Sequence, residues 1–506
     1  MVAGYRTMVS EIFAPPVPAA QHSEAIVIGS GFGASVAALR LAQAGVGVTM
    51  LERGSRWPID PWRNIHTSDV APDGRGYWHR SIVHPVTRIP LPVDNFGGVL
   101  DTTDYPGISV WRAAAVGGGS TVFTGVMIEP EKRFFTHVFG SSLDYGEMHN
   151  VYYPRVRKML RLSPIPDDVY NSTPFTHSRV WDQQARRAGY RPQRVDGIWN
   201  WDVVRAELAG KVRRSATIGE SNLGNGNGAK FDLRQNYLKY AEATGKLRIH
   251  PGHQVTAIGR EPDGRYRVSV KVIAPSGEVL STRTLTADRL FLGAGSVGTS
   301  ELLVAARDTG ALKSLNEHVG QGWGTNGDAA LVRGLQPQNG LVQAAPCASR
   351  IVDETGMPVT LENWYVPGSP VDLSLIGSLG MTLDPRRASF RYVPSSGKVT
   401  LDWGKSDNRD TIAALRRVQN KIAAASGVSA GLGPLAADVN AEFTAHPLGG
   451  AVLGKATDGY GRVEGYDGLY VVDGALIPGS TGTVNPSLTI TALAERNIEQ
   501  ILRDHK

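Results

Sequence analysis

Two groups of residues in this chain have types and spacing that can do chemistry. Near the C-terminus, His446 sits in Ala445-His446-Pro447-Leu448-Gly449-Gly450, and Val484-Asn485-Pro486-Ser487-Leu488-Thr489 follows a strand-like Gly468 to Asp473. That segment supplies an imidazole that titrates near neutrality, an amide, and a helix start with proline in its first turn. Near the N-terminus, Gly29-Ser30-Gly31-Phe32-Gly33 lies ahead of Glu52. Glycines so placed let backbone approach a dinucleotide, which accepts hydride while a neutral histidine accepts a hydroxyl proton. The chemistry to which the two groups point together is oxidation of an alcohol.

Positioning these residues requires particular elements. Ala25 to Ile28 reads as a buried strand, an Ala- and Leu-rich helix runs through Ala44, and Val46 to Leu51 reads as a second strand ending at Glu52. Gly29, Gly31 and Gly33 then form the tight turn, the pyrophosphate sits at the helix N-terminus, and Glu52 meets ribose hydroxyls. A carboxylate there argues against a 2′-phosphate and hence against NADP. The third glycine at Gly33, with Ala34 next, leans towards FAD. Further glycine-rich elements suit a flavin: Ala115-Val116-Gly117-Gly118-Gly119-Ser120 along its edge or pyrophosphate, Gly293-Ala294-Gly295 on the nucleotide side, and Asp473-Gly474 after a strand. Asn485-Pro486 precedes a helix running to about Leu502, whose N-terminus would stabilise negative charge on a reduced ring.

The rest of the chain supplies further elements. Residues 57–115, rich in Pro, Gly, Asp and aromatics, read as a long loop-like excursion covering a ligand or a neighbouring domain. Helices are predicted over 147–162, 231–245 and 411–425. Strands are predicted at 248–250, 255–258, 266–272 and 288–292, and an antiparallel sheet over 330–405. The fold class is α/β with an α+β second domain. A Rossmann-like FAD-binding domain is expected from 1–55, 225–325 and 440–506, with 112–130 also lining FAD. A substrate domain, a β-sheet flanked by helices, is expected from 56–224 and 326–439.

Composition bounds the remaining choices. The 506 residues are 41% hydrophobic, enough for a large core. A net charge of +6 comes from scattered Lys and Arg, without the basic-aromatic runs of a nucleic-acid face. Cys347 is the lone cysteine, which excludes an internal disulfide and a Cys-based metal site; no metal is expected. No run of eighteen apolar residues occurs, and the first twenty residues lack the apolar core of a signal peptide. The expectation is an intracellular chain or one relieved of an export signal.

Several of these motifs resemble the glucose-methanol-choline oxidoreductase family, and within it the cholesterol oxidases of actinobacteria that hold FAD non-covalently. The likeness rests on Phe32-Gly33 with Glu52, Gly117-Gly118-Gly119-Ser120, Leu292-Gly293-Ala294-Gly295-Ser296, Gly320 to Asn326 and Leu361-Glu362. It continues through His446-Pro447-Leu448-Gly449-Gly450, Leu453 to Asp458 and Thr489 to Asn497, and so spans nearly the whole chain. The resemblance implies that His446 and Asn485 hold a substrate hydroxyl over the flavin. It implies that Glu362 is the base that moves a ring double bond, and that Phe32, Gly33, Glu52, Gly119, Val255 and Asp473 contact FAD.

The chain also departs from the family pattern. Val122-Phe123-Thr124-Gly125-Val126 stands where the family often has Val-Asn-Gly-Gly-Met, so Phe123, Thr124 and Val126 replace a more polar flavin edge. Thr444 and Ala451 stand where cysteines are frequent. The approach Ser480 to Val484 is one residue longer, and Ser487 stands where Phe is common. The implied activity is oxidation of the 3β-hydroxyl of cholesterol or a related sterol, with O2 reduced to H2O2, then isomerisation to the 4-en-3-one. Alternatives are another alcohol, another electron acceptor, or a sterol carrier or sensor without turnover. The resemblance further implies a secreted monomer that touches membranes transiently through the 57–115 loops.

Overall fold

The computed structural model describes residues 2–69, 71–83, 90–334, 342–366, 374–431 and 438–504. It is a mixed α/β fold organised on two seven-stranded sheets. The first has a parallel core: Leu247–His250, Val48–Leu51, His22–Ile28, Val279–Leu292 and Leu469–Val471 lie side by side. Apolar residues of these strands, such as Ile26, Val27, Met50 and Leu290, are fully buried because helices cover parallel strands on both faces. Each such side chain contributes about 1.5–3 kcal/mol over its exposed state.

Register aligns the carboxyl ends of this sheet. Ile28 pairs with Leu51 and Leu292, His250 with Leu51, and Leu292 with Val471. The residues that follow, Gly29, Glu52, Gly293 and Asp473, therefore emerge along one edge, where open α/β sheets bind ligands. The helix Phe32–Gln43 packs against the C-terminal helix Ser487–Asp504, and Arg40 of the first bonds Glu495 of the second at 2.7 Å. The strand Val279–Leu292 is longer than the sequence suggested. Its first half turns away to pair antiparallel with Tyr266–Ile273, which pairs in turn with His253–Arg260.

The second sheet is antiparallel throughout, with Ala329–Gly334, Ile376–Thr382, Val359–Trp364 and Ser349–Asp353 at its centre. Helices Thr176–Arg187 and Arg409–Ser426 cover one face. All six residues of Val359–Trp364 are buried, and they alternate. Val359 and Leu361 join the helix-side core, whereas Thr360 and Glu362 bond the C-terminal loop at Thr483 and Asn485.

Two local expectations change. Residues 100–113 are not loop: Leu100–Tyr105 and Ile108–Ala113 form a hairpin around Pro106-Gly107, with Ile108 and Val110 buried. The polar content suggested a loop, but the Thr-rich run tolerates strand geometry and Pro-Gly supplies a tight turn. The rest of the 57–115 excursion mixes turns and short bridges, and 70 and 84–89 fall outside the described residues. The helix expected over 231–245 is shorter, Tyr237–Ala243, because the Asn236 side chain accepts from Tyr237 N and caps it there. Part of the 330–405 region, at 335–341 and 367–373, also lies outside the described residues. No helix among the described residues is long and apolar enough to cross a membrane.

Candidate active site

A cavity of about 1100 Å³ runs from Glu52 at the edge of the parallel sheet to His446 and Asn485. Its first end is made largely of backbone. Gly29 has φ +88°, and a Cβ there would lie 2.2 Å from Gly293 O. Gly33 is packed so tightly that its Cβ would lie 1.5 Å from Val472 O. Gly31 is the opposite case: it lines the cavity, and a Cβ there would meet no protein atom within 4 Å. Gly31 also precedes the first turn of Phe32–Gln43 without any side-chain cap, so that turn's N–H groups are free for an anion.

Glu52 is buried beside this turn, accepting from Ser30 Oγ at 2.7 Å and Gly54 N at 2.8 Å. Burial raises its pKa, against the pull of those two donors. Ser30 Oγ also accepts from Gly117 N at 3.0 Å, so one hydroxyl ties the glycine turn to Glu52 and to the 117–120 block. Asp473 lines the cavity while its carboxylate holds Gly295 N, Thr299 Oγ1 and Ala475 N. Burial pushes that carboxyl up to about 6. A glycine cradle, an uncapped helix N-terminus and a buried carboxylate on the cavity wall together fit a dinucleotide.

The cavity wall also includes Gly119, Phe123, Thr124, Val255, Gly474 and Pro486. Phe123 meets Phe32 edge to face, with centroids 5.4 Å apart. Three residues lie off the wall. Gly117 stands behind it with φ +105°, and Ser120 Oγ turns inward to Gly117 O at 2.7 Å. Val126 packs with Val195, Cys347 and Val484.

The second end is made of side chains from separate segments. Phe443–Thr444 adds in parallel to the hairpin strand Ile108–Ala113, which delivers Ala445 and His446 to the cavity. Pro486 O accepts from Ile490 N at 2.8 Å, so the C-terminal helix begins at Ser487 with Asn485 just ahead of it. Asn485 Nδ2 donates to Glu362 Oε2 at 3.2 Å. Glu362 Oε1 and Asn485 Oδ1 are buried with no partner among the described residues. Desolvation pushes the Glu362 carboxyl up to about 7, against the opposing pull of Asn485 and His446. Trp111, Trp364, Leu379 and Phe443 add an apolar wall at this end.

Known proteins resemble this chain in sequence and in fold. Residues 387–494 match the family model described as GMC oxidoreductase. A cholesterol oxidase of Mycobacterium tuberculosis is 29% identical over 552 residues, covering 94% of this chain and 90% of that one. A cholesterol oxidase of Acinetobacter baumannii is 23% identical, covering 95% and 94%. Among solved structures, a fungal aryl-alcohol oxidase superposes with a TM-score of 0.65 at 13% identity, covering 96% of this chain and 100% of that one. Pyridoxine 4-oxidase superposes with a TM-score of 0.61 at 16% identity, covering 96% and 99%. The matches support an oxidoreductase of the GMC family.

GMC oxidoreductases are flavoproteins, usually with FAD, and the glycine end described above has the form such a cofactor requires. Sequence reasoning overlooked three residues of this site. Ser30 lies within the fingerprint, where its type signals no role of its own. Asn326, at φ +61°, donates from Nδ2 to Val484 O at 2.8 Å and accepts from Thr481 N at 2.9 Å, which shapes the approach to Asn485. That approach includes Thr483 at φ +66°, a strained conformation for a β-branched residue, with its hydroxyl held by Thr360 at 3.1 Å. Asp328, fully buried, sets Oδ2 3.3 Å from His446 Nδ1. No sequence pattern announces it, because the contact joins residues 118 positions apart.

Proposed function

We propose that this protein is a flavin-dependent alcohol oxidase whose substrate is a 3β-hydroxysterol such as cholesterol, and that it also isomerises the product. The observation that carries the reading is the buried Asn485–Glu362 contact beside His446, at the apolar end of a cavity whose other end suits a dinucleotide. Gly29, Gly31, Phe32, Gly33, Glu52 and the first turn of Phe32–Gln43 would hold FAD, non-covalently. When bound, it supplies the hydride acceptor.

The chain's own residues do the rest. Asn485 and His446 receive the substrate hydroxyl, and His446 takes its proton as the C–H bond is lost. Glu362, buried and poised near pH 7, moves a proton within the oxidised substrate to shift the double bond from Δ5 to Δ4. Trp364, Leu379 and Phe443 exclude water from the bulky apolar substrate. Support for the sterol comes from the similarity to two cholesterol oxidases along nearly the whole chain. With oxygen as acceptor the second product is H2O2. We further propose a monomer that meets lipid surfaces transiently and acts outside the cell.

The test is anaerobic mixing of the purified yellow protein with cholesterol and with a panel of simple and aromatic alcohols. Cholesterol should bleach the flavin fastest, and admitted air should restore the colour with release of peroxide. Faster bleaching by another alcohol moves the substrate assignment to that alcohol. Restoration only by an added acceptor makes the protein a dehydrogenase.

A further inference from the structure

We propose that Asp328 is the positioning residue of His446, receiving Nδ1–H so that Nε2 faces the cavity as the base for the substrate hydroxyl. The inference rests on the alcohol-oxidising reading above and names the residue that prepares its base.

The geometry starts from three contacts on one carboxylate. Asp328 Oδ2 accepts from Ala445 N at 2.9 Å and from Thr444 Oγ1 at 3.2 Å, and it stands 3.3 Å from His446 Nδ1. Thr444 Oγ1 in turn accepts from His446 N at 2.9 Å. One buried acid thus holds the backbone that carries His446 and faces its ring. Nδ1 lies at ion-pair distance but is not aligned as a hydrogen bond, and Asp328 Oδ1 also lacks a partner among the described residues. Such groups are costly to leave unpaired, and a turn of the imidazole that aligns Nδ1–H on Oδ2 satisfies the ring nitrogen. Nδ1 is the enclosed nitrogen, so Nε2 is the one left to meet a ligand.

Charge favours the same assignment. The charged groups acting on the ring are Asp328 and Glu362, the latter bonded to the Asn485 amide. Glu362 already holds the Asn485 amide through Oε2, which leaves Asp328 as the carboxylate beside Nδ1. As the proton moves, the substrate O–H bond breaks and Nε2–H forms, leaving an imidazolium next to Asp328. Burial opposes that charge, but the Asp328 carboxylate, with a smaller contribution from Glu362, outweighs it and raises the His446 pKa above its ordinary value. The carboxylate therefore both selects the tautomer and stabilises the protonated ring.

The test uses the cofactor-loaded full chain with Asp328→Asn, which keeps an acceptor for Ala445 N while removing the charge. The variant is made in the wild-type and Glu362→Gln backgrounds. Two readouts are taken: the pH dependence of kcat/KM for the best alcohol, and the imidazole nitrogen spectrum of His446, assigned by its loss in His446→Gln. Without the carboxylate, kcat/KM should fall roughly 10²-fold. A base of lower pKa is neutral at lower pH, so the acid limb should move down by about one unit in both backgrounds. The His446 resonance should titrate lower. A fall in rate with an unmoved limb and an unchanged His446 titration overturns the proposal and leaves Asp328 a structural residue. If no alcohol reduces the wild-type flavin, the oxidation reading fails, while the nitrogen spectrum still decides the Asp328–His446 contact.

Discussion

The glycine end and the histidine end of the cavity are built by different means. At the glycine end, Gly29, Glu52, Gly293 and Asp473 come from strands in parallel register, and most contacts offered to a ligand are backbone. At the histidine end, Asp328, Glu362, His446 and Asn485 come from four segments that meet only in the tertiary fold; the side chains of His446 and Asn485 line the cavity, with Asp328 and Glu362 set against them. The first surface tolerates change where the backbone faces open space and fails where it faces more backbone. The second depends on charge and tautomer, so conservative substitutions there should alter rate and pH dependence more than folding.

The largest expected effect separates the ends outright. His446→Ala should slow alcohol-driven flavin reduction by about 10³-fold, within the range for removing a general base, with cofactor content unchanged. Anaerobic stopped-flow mixing reads the rate and absorbance reads the content. Loss of the flavin as well would mean that the two ends are not independent. At the other end, Gly33→Ala forces a methyl against Val472 O and should destabilise the protein by about 3 kcal/mol, measured by thermal unfolding.

A smaller effect sharpens the comparison within the histidine end. Glu362 must be ionised to act as a base, and its carboxyl lies near 7. Formation of the conjugated enone from a 5-ene-3-one should therefore fall about tenfold per unit below pH 7 and level off above it. Glu362→Gln should abolish that step while flavin reduction continues. The smallest effect returns to the glycines. Gly31→Ala places its methyl in open cavity, so the unfolding temperature should hold while cofactor affinity drops about tenfold. An equal loss of stability in Gly31→Ala and Gly33→Ala would erase the distinction between ligand-facing and protein-facing glycines.

Legibility in the sequence follows the same division. The strand-turn-helix at 22–43, the strand reaching Glu52 and the C-terminal helix were readable because period and glycine spacing are local signals. The hairpin at 100–113 was not, since polar and turn-forming residues mask strands whose burial comes from neighbours distant in sequence. Glu362 was singled out through motif resemblance. Its environment, an unpartnered oxygen and an amide from 123 residues away, required the sheet to be assembled.

By itself the sequence determined the α/β class, the glycine turn and the residue types of a proton acceptor near a dinucleotide. Each of these depends on neighbours within a few tens of residues. The tertiary structure alone decided that Asp328 stands behind His446, that Asn326 holds the strained approach to Asn485, and that Glu362 is desolvated enough to titrate near neutrality. Those are properties of distance and dielectric between remote segments, and no local pattern of residues encodes them.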